Sequence, residues 1–335
     1  NEINNKEIGF FNNLCKHIPK SYISELSTVY YSGTFEINSN NYRIESNDGK
    51  SILLKKWPLG TNKNNVEKTQ KLINWLHDKK IPVPFSGTFE NKSFVYLFGN
   101  ALWSFNMFNN GNYYTGSNNE LESVAKVTGK LARTLFNLPA ELTPETGPIH
   151  LSSNDDIIIN KMVLERDNWS SYFGVENASL LNLHWDYIFS TWKNLYKNDL
   201  NCGAIVSCHF DMHPHNLIAK DGEVVAVLDF DSCKKIPLGY SLAFNALKQC
   251  RQFLSLNKKN TSYKEVVDFY LKNLISEISL EEVSSYDFLS LSKAEVMRRI
   301  CLIFRINLLD NNSDWNRVLP IQIAHLFEAD ILFKN

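Results

Sequence analysis

The sequence predicts an α+β chain in two lobes, a small antiparallel sheet followed by a larger and mostly helical region. Three observations carry this. Strand-like runs separated by Asn, Asp and Gly fill residues 27–57. Apolar residues then recur at three- and four-residue steps through long stretches of the second half. A single further hairpin, around Asp221-Gly222, interrupts those helices. At 335 residues the chain is long enough for two cores.

Taken in order, residues 10–17 read as a short amphipathic helix stopped by Pro19. Strands follow at 28–37, 41–46 and 51–57, with turns at 38–41 and at Asn47-Asp48-Gly49. A helix over 65–79 carries Leu72, Ile73 and Leu76 on its apolar face, and Ile81-Pro82-Val83-Pro84 ends it. Residues 94–98 form a last strand of this lobe. In the second lobe Leu121, Val124, Thr128, Leu131 and Leu135 mark a helix expected to pack under the central motif. Segments 263–278, 281–309 and 317–333 are helical by the same spacing. Between residues 157 and 196 lie Trp169, Tyr172, Phe173, Trp185, Tyr187 and Trp192. Aromatics at helical spacing are expected in a core; the functional alternative is a wall for sugars or cationic amines.

Composition excludes several classes. Lys and Arg total 35 against 36 Asp and Glu, a net charge of −1, which argues against a general binder of nucleic acid or membrane surfaces. No apolar run approaches the roughly 20 residues of a membrane span. The polar start, Asn1-Glu2-Ile3-Asn4-Asn5-Lys6, is not that of a signal peptide. The six cysteines have neither CxxC nor regular spacing and read as reduced thiols of a cytoplasmic protein.

The chemistry concentrates in residues 204–233. His209-Phe210-Asp211 ends an apolar run, Asn216 follows five residues after Asp211, and a hairpin then delivers Asp229 and Asp231. A two-residue loop at Asp221-Gly222 sets Lys220 opposite Glu223, Leu217 opposite Ala226 and Asn216 opposite Val227. Asp229 then lies two residues beyond Asn216's partner, about 7 Å along the strand. An amide oxygen and a carboxylate so placed are few, hard ligands that suit magnesium carrying a nucleotide. Asp211 is left to orient a hydroxyl and take its proton, as phosphoryl transfer requires.

The HxDxxxxN pattern, the hairpin and the Asp-Phe-Asp that follows resemble the catalytic core of the aminoglycoside phosphotransferase and choline kinase superfamily, small-molecule relatives of the protein kinases. The resemblance implies a two-lobed kinase-like fold, with residues 1–99 as the nucleotide-binding lobe and residues 100–335 as the catalytic and substrate-binding lobe. It implies Asp211 as catalytic base, Asn216 and Asp229 as Mg2+ ligands, and His209 as a prop for the loop. It further implies that Lys55, with Lys56 as the alternative, clamps the phosphates of ATP, and that Gly99-Asn100 opens the crossover holding the adenine edge. The glutamate that pairs the lysine in the superfamily falls at Thr69 by spacing, which leaves the nearby Glu67 as a partner for Lys55 or, as the favoured reading, a solvated carboxylate. The sequence departs from the superfamily at Phe210, where Gly is usual, at Ser241, where an Asp often braces the loop, and at residues 37–41, which contain no GxGxxG. The expected activity is transfer of the γ-phosphoryl group to a hydroxyl of a sugar, an amino sugar or aminoglycoside, or an amino alcohol such as choline. The alternative is a pseudokinase that binds nucleotide without turnover. A zinc site built from His209, His213 and His215, completed by Asp211 or Asp229, is a further rival. Asp231, on the strand face of Asp229, is expected to be structural, bracing Lys234, with contact to a second magnesium as the alternative.

Overall fold

The computed structural model describes residues 5–31, 40–257 and 261–334. The chain opens with α1 (Asn5–Cys15), β1 (Leu26–Tyr31), β2 (Asn40–Ser46), β3 (Ser51–Lys56), α2 (Lys63–Asp78), β4 (Tyr96–Phe98), β5 (Ala101–Met107) and β6 (Asn112–Tyr113). Helices α3 (Asn118–Phe136), α4 (Ser153–Leu164), α5 (Trp169–Phe173) and α6 (Val175–Lys197) follow. Four short strands come next: β7 (Ile205–His209), β8 (Leu217–Lys220), β9 (Glu223–Val227) and β10 (Cys233–Pro237). The chain ends in α7 (Leu238–Leu256), α8 (Tyr263–Ile278), α9 (Phe288–Asp310) and α10 (Leu319–Phe333). Among the described residues no helix is long and apolar enough to cross a membrane.

The fold divides into two compact units: Asn1–Tyr114 with Leu138–Pro144 and His215–Ser232, and Thr115–Asn137 with Glu145–Pro214 and Cys233–Asn335. This differs from the expected division at residue 99 in two ways. The strand β5 extends the first unit, because it lies between β3 and β4 in the sheet. The β8–β9 hairpin also belongs to that unit, tied to it by β6.

The sheet of the first unit is antiparallel in the order β1-β2-β3-β5-β4. Alternation sends Ile44, Ile52, Leu54, Trp103 and Phe105 to one buried face, and α1 covers it with Phe11 and Leu14. The expected crossover at Gly99-Asn100 is instead a tight hairpin. Phe98 pairs with Ala101, and both turn residues take the left-handed backbone of a type I′ loop, φ 56° at Gly99 and 61° at Asn100. The turn expected at 38–41 falls largely outside the described residues, as does the second half of the strand expected at 28–37; Asn40 and Asn41 belong to β2. Helix α2 is capped by Asn62, whose side chain accepts from the Asn64 N–H, and buries Val66, Leu72, Ile73 and Leu76.

The second unit is helical around the β7–β10 ribbon. Helix α3 starts from a Ser117–Glu120 capping box and packs against β7 and α8. The aromatic run resolves as core: Trp169, Phe173, Trp185 and Trp192 are buried, with the Trp169 and Trp185 rings 4.9 Å apart. The buried indole N–H groups donate to the Met162 carbonyl and to Asp156, so these rings are committed to packing and do not form an exposed wall. The segment expected to be helical over 281–309 begins as a 3-10 turn, Glu281–Ser285, and α9 starts only after Asp287, whose side chain caps the Ser290 N–H.

Candidate active site

In the first unit the β8–β9 hairpin turns at Asp221 (φ 53°) and Gly222 (φ 84°), and Lys220 faces Glu223 as expected. The register then departs from expectation. Ala219 pairs with Val224 but Ile218 pairs with Ala226, so Val225 is the extra residue of a β-bulge. The Val225 carbonyl, out of the ladder, accepts a 3.4 Å hydrogen bond from the Asn109 side chain. Beyond the bulge Leu217 pairs with Val227, and the Asn216 carbonyl accepts from the Leu228 N–H at 2.8 Å. Asp229 thus follows directly after the residue bonded to Asn216. The expected register placed it one residue further away.

At Asp229 the strand breaks into a left-handed conformation, φ 63°, in which an Asp is tolerated better than most residues. Its carbonyl accepts from the N–H and hydroxyl of Ser232, which fixes the 3-10 turn Phe230–Ser232. That turn brings Asp231 round to Lys55, whose Nζ lies 2.7 Å from Asp231 Oδ2 and 3.4 Å from Asp229 Oδ1. The Lys55 side chain is 16% exposed and its ammonium sits 4.3 Å from the centre of the Trp57 ring. Burial pulls that ammonium down, but Asp231 and Asp229 outweigh it and leave the group above its ordinary range. Burial raises Asp231 in turn, and Lys55 outweighs that effect to hold it at about 2.

Two sequence-level expectations are corrected here. Asp231 braces Lys55, while Lys234 lies 3.6 Å from Glu145. Glu67 accepts a hydrogen bond from the Ser93 hydroxyl, and the carboxylates that face Lys55 are those of Asp229 and Asp231. Glu67 sits near the start of α2, within reach of the loop that carries Ser93, and Lys55 has been claimed from the other end of the chain.

The second unit carries the loop around Asp211. Strand β7 delivers His209, buried and opposite Cys233 of β10. The His209 Nδ1 lies 3.4 Å from the Asp211 N–H, and the Asp211 carbonyl accepts from the His213 N–H at 2.9 Å. Two buried side chains of α7 hold this loop from below. Ser241 donates to the His209 carbonyl (3.1 Å), and Gln249 donates to the Met212 carbonyl (2.9 Å). Ser241 therefore braces the loop at the position where the resemblance expects an Asp, while Gln249 has no counterpart in the sequence-level reading.

The Asp211 carboxylate faces Arg299 Nη2 at 3.3 Å and His213 Nε2 at 3.4 Å. Arg299 is itself anchored by Glu295, whose fully buried carboxylate also takes Arg298 (2.8 and 2.9 Å) and His150 (2.6 Å). Burial raises the Glu295 carboxyl, but Arg298 and Arg299 outweigh it and hold it well below the usual range. Phe210, the residue that replaces Gly, packs edge-on to His150 and under the Arg298 guanidinium, 4.9 Å from its ring centre. The bulk that the resemblance leaves unexplained is thus absorbed by the Glu295 cluster. Sequence reasoning missed this cluster; its only signal was Glu295, Arg298 and Arg299 at i, i+3 and i+4 inside an apolar helix.

The residues fit a nucleotide-borne cation better than a protein-caged one. Asp229 and Asn216 offer hard oxygen chemistry, and a positive group already stands against Asp229 in the form of Lys55. Among the described residues no three His, Cys, Asp or Glu side chains converge as a metal cage, so an ion here would complete its shell with phosphate and water. The histidines have other roles: His209 contacts the loop backbone, His213 faces Asp211, and His215 packs edge-on to Tyr113.

Among curated proteins none matches the chain. Among solved structures, a spectinomycin phosphotransferase in complex with ADP and spectinomycin superposes with a TM-score of 0.66 at 16% identity, over 99% of this chain and 98% of that one. An amicoumacin kinase bound to AMP-PNP and Ca2+ gives 0.63 at 11% identity, over 99% and 96%. The choline kinase of Cryptosporidium parvum Iowa II gives 0.58 at 13% identity, over 97% and 95%. At such identities these likenesses establish a shared kinase-like fold. The profile of the phosphotransferase enzyme family matches residues 36–248, well over half of the sequence and inclusive of Lys55, Asp211, Asn216 and Asp229; the chain belongs to that family.

Proposed function

We propose that the protein is an ATP-dependent phosphotransferase that moves the γ-phosphoryl group to a hydroxyl of a small metabolite. The observation that carries this is the meeting of Lys55 with Asp229. A lysine on β3 and a carboxylate 174 residues later are brought to 3.4 Å within one unit, which supports a pairing of a cation suited to phosphate with an oxygen suited to a metal ion. Magnesium bound to ATP supplies charge neutralisation on the phosphates, and Asn216 and Asp229 would hold it. Lys55 then offers its ammonium to phosphate oxygens, and Asp231 keeps that ammonium charged and aimed. Asp211 accepts the proton of the acceptor hydroxyl as the new P–O bond forms. Its carboxylate is oriented by Arg299 and His213, and its backbone by the contacts that Ser241 and Gln249 make on either side.

The spectinomycin phosphotransferase and choline kinase named above act on small hydroxylated molecules, which supports the same acceptor class here. Of the three features that favoured a pseudokinase, Phe210 is packed against His150 and Arg298, Asp229 and Asp231 face Lys55 in place of Glu67, and the turn without a Gly-rich pattern falls largely outside the described residues. The test is transfer of labelled γ-phosphate from Mg·ATP to a panel of hydroxylated metabolites. Asp211→Asn is expected to lower kcat by roughly 10²–10⁴ while ATP affinity stays within a few-fold; equal turnover in that variant would remove Asp211 from the chemistry.

A further inference from the structure

We infer that Asn245 is a positioning residue for Asp211 and holds the loop through one buried water molecule; the effect on turnover rests on the phosphotransferase reading, whereas the water and its bonds do not. Ser241, Asn245 and Gln249 stand at i, i+4 and i+8 of α7 and so form one stripe. All three are buried, at 5%, 2% and 0% exposure. The outer two are tied to the loop, Ser241 by donating to the His209 carbonyl and Gln249 by donating to the Met212 carbonyl. Asn245 lies between them, and its Oδ1 has no hydrogen-bond partner. A stripe that grips the loop on both sides of Asp211 is thus untied in its middle.

A carbonyl oxygen buried without a donor is rare, because it gives up its hydration for nothing in return. Beside this one lies a cavity of about 10 Å³, the room that a single water needs. Its polar lining is Thr128, His209, Ser241 and Asn245, and apolar side chains of α3 and α7 close most of the rest. The two hydroxyls have already committed their hydrogens. Thr128 donates to the Val124 carbonyl at 2.8 Å and receives the Tyr270 hydroxyl at 3.4 Å, while Ser241 donates to the His209 carbonyl at 3.1 Å. Each keeps a lone pair and has no second hydrogen to give. Three oxygens that can only accept therefore line one small space.

A water molecule answers that demand, because it brings two hydrogens. One goes to Asn245 Oδ1 and the other to Ser241 or Thr128. So bonded, it stands under the loop between the ties at His209 and Met212. The Asp211 N–H and carbonyl, which contact His209 Nδ1 and the His213 N–H, gain a third support, and the carboxylate keeps its place against the acceptor hydroxyl.

A crystal structure of the full chain at a resolution that shows ordered waters is the direct test. The expected result is a water within about 3.2 Å of Asn245 Oδ1 and of Ser241 Oγ or Thr128 Oγ1; a dry cavity, or Asn245 bonded straight to the loop, overturns the inference. Asn245→Leu keeps the volume and removes the acceptor. Were the carbonyl a simple orphan, that variant would gain stability. The expected result is a lower urea midpoint, with amide exchange at Asp211 and His213 faster by about tenfold and exchange in α8 unchanged. A raised midpoint overturns the water, and a lowered midpoint with unchanged loop exchange overturns the positioning role. Asn245→Ser keeps an acceptor and admits a second water, so its loop exchange should return to within about threefold of wild type; a loss equal to that of Asn245→Leu overturns the inference. With an acceptor found in the metabolite panel, Asn245→Leu is expected to lower kcat by about tenfold while KM for ATP stays within about twofold, and an unchanged kcat overturns the positioning role. Absence of transfer to the whole panel counts against the phosphotransferase reading, and the crystallographic and exchange results then decide the inference alone.

Discussion

Replacing Glu295 by Gln tests the electrostatic frame around Asp211. Glu295 has no exposed side-chain surface, and its two oxygens receive Arg298 at 2.8 and 2.9 Å, Arg299 at 2.6 Å and His150 at 2.6 Å. The neutral amide keeps the shape but removes the charge, and its NH2 end opposes donors that expect an acceptor. Removing one partner of a buried ionic group costs about 3–5 kcal/mol. The substitution is nearly isosteric and keeps one acceptor oxygen, so the low end, about 3 kcal/mol, is expected. At roughly 1.4 °C per kcal/mol for a chain of this size, the melting temperature should fall by about 4 °C. The carboxyl is held well below its ordinary range in the folded state, so its stabilisation is fully present above the unfolded value near 4.5. That contribution is lost as pH falls below 4.5 toward the folded value. Urea midpoints of wild type and variant should therefore differ most at neutral pH and converge in acid. A neutral-pH loss below about 1 kcal/mol, or a gap that widens in acid, would refute the reasoning.

Three further outcomes follow from particular contacts. Asp231→Asn removes the closer carboxylate on Lys55; because Asp231 is depressed to about 2 in the fold, wild type should lose stability as pH falls from about 3.8 toward 2 while the variant shows a flatter profile in the same denaturant series. Ser241→Ala should cost about 1 kcal/mol and speed amide hydrogen exchange through residues 209–213, since the His209 carbonyl loses its buried donor. Gly222→Val forces a β-branched residue to φ 84° and should cost about 1–3 kcal/mol by urea denaturation. Gly222→Asn should cost less than half of that loss.

Local signals in the sequence were strong where the backbone chemistry is local. Asp221-Gly222 forced its turn, and the period of Val267, Leu271, Leu274 and Ile278 placed a helix at 263–278, where α8 lies. Gly99-Asn100 between two apolar runs carried the same hairpin signal, and expecting a crossover there let family layout override it; β5 and the proper extent of the first unit were missed in consequence. The bulge at Val225 has no sequence mark, because an extra residue in a ladder shows only when both strands are seen. The partners of Lys55 and Asp211 were beyond reach for a different reason. Lys55 pairs across 174 and 176 residues and Arg299 reaches Asp211 across 88, and nothing local distinguishes such carboxylates from Glu67, which stands near in sequence but bonds Ser93.

The spare residue in β9 makes the hairpin behave like a vernier. Between the loop tip and the bulge the strands run in one phase, and past Val225 they run in another. Changes of sequence at the tip can therefore drift without moving Asp229, so long as the loop keeps its length. Excision of Val225 would restore an unbroken ladder, strand the Asn109 amide and slide Asp229 by one step, turning its carboxylate to the opposite side of the ribbon. A more regular hairpin would be a disarmed one.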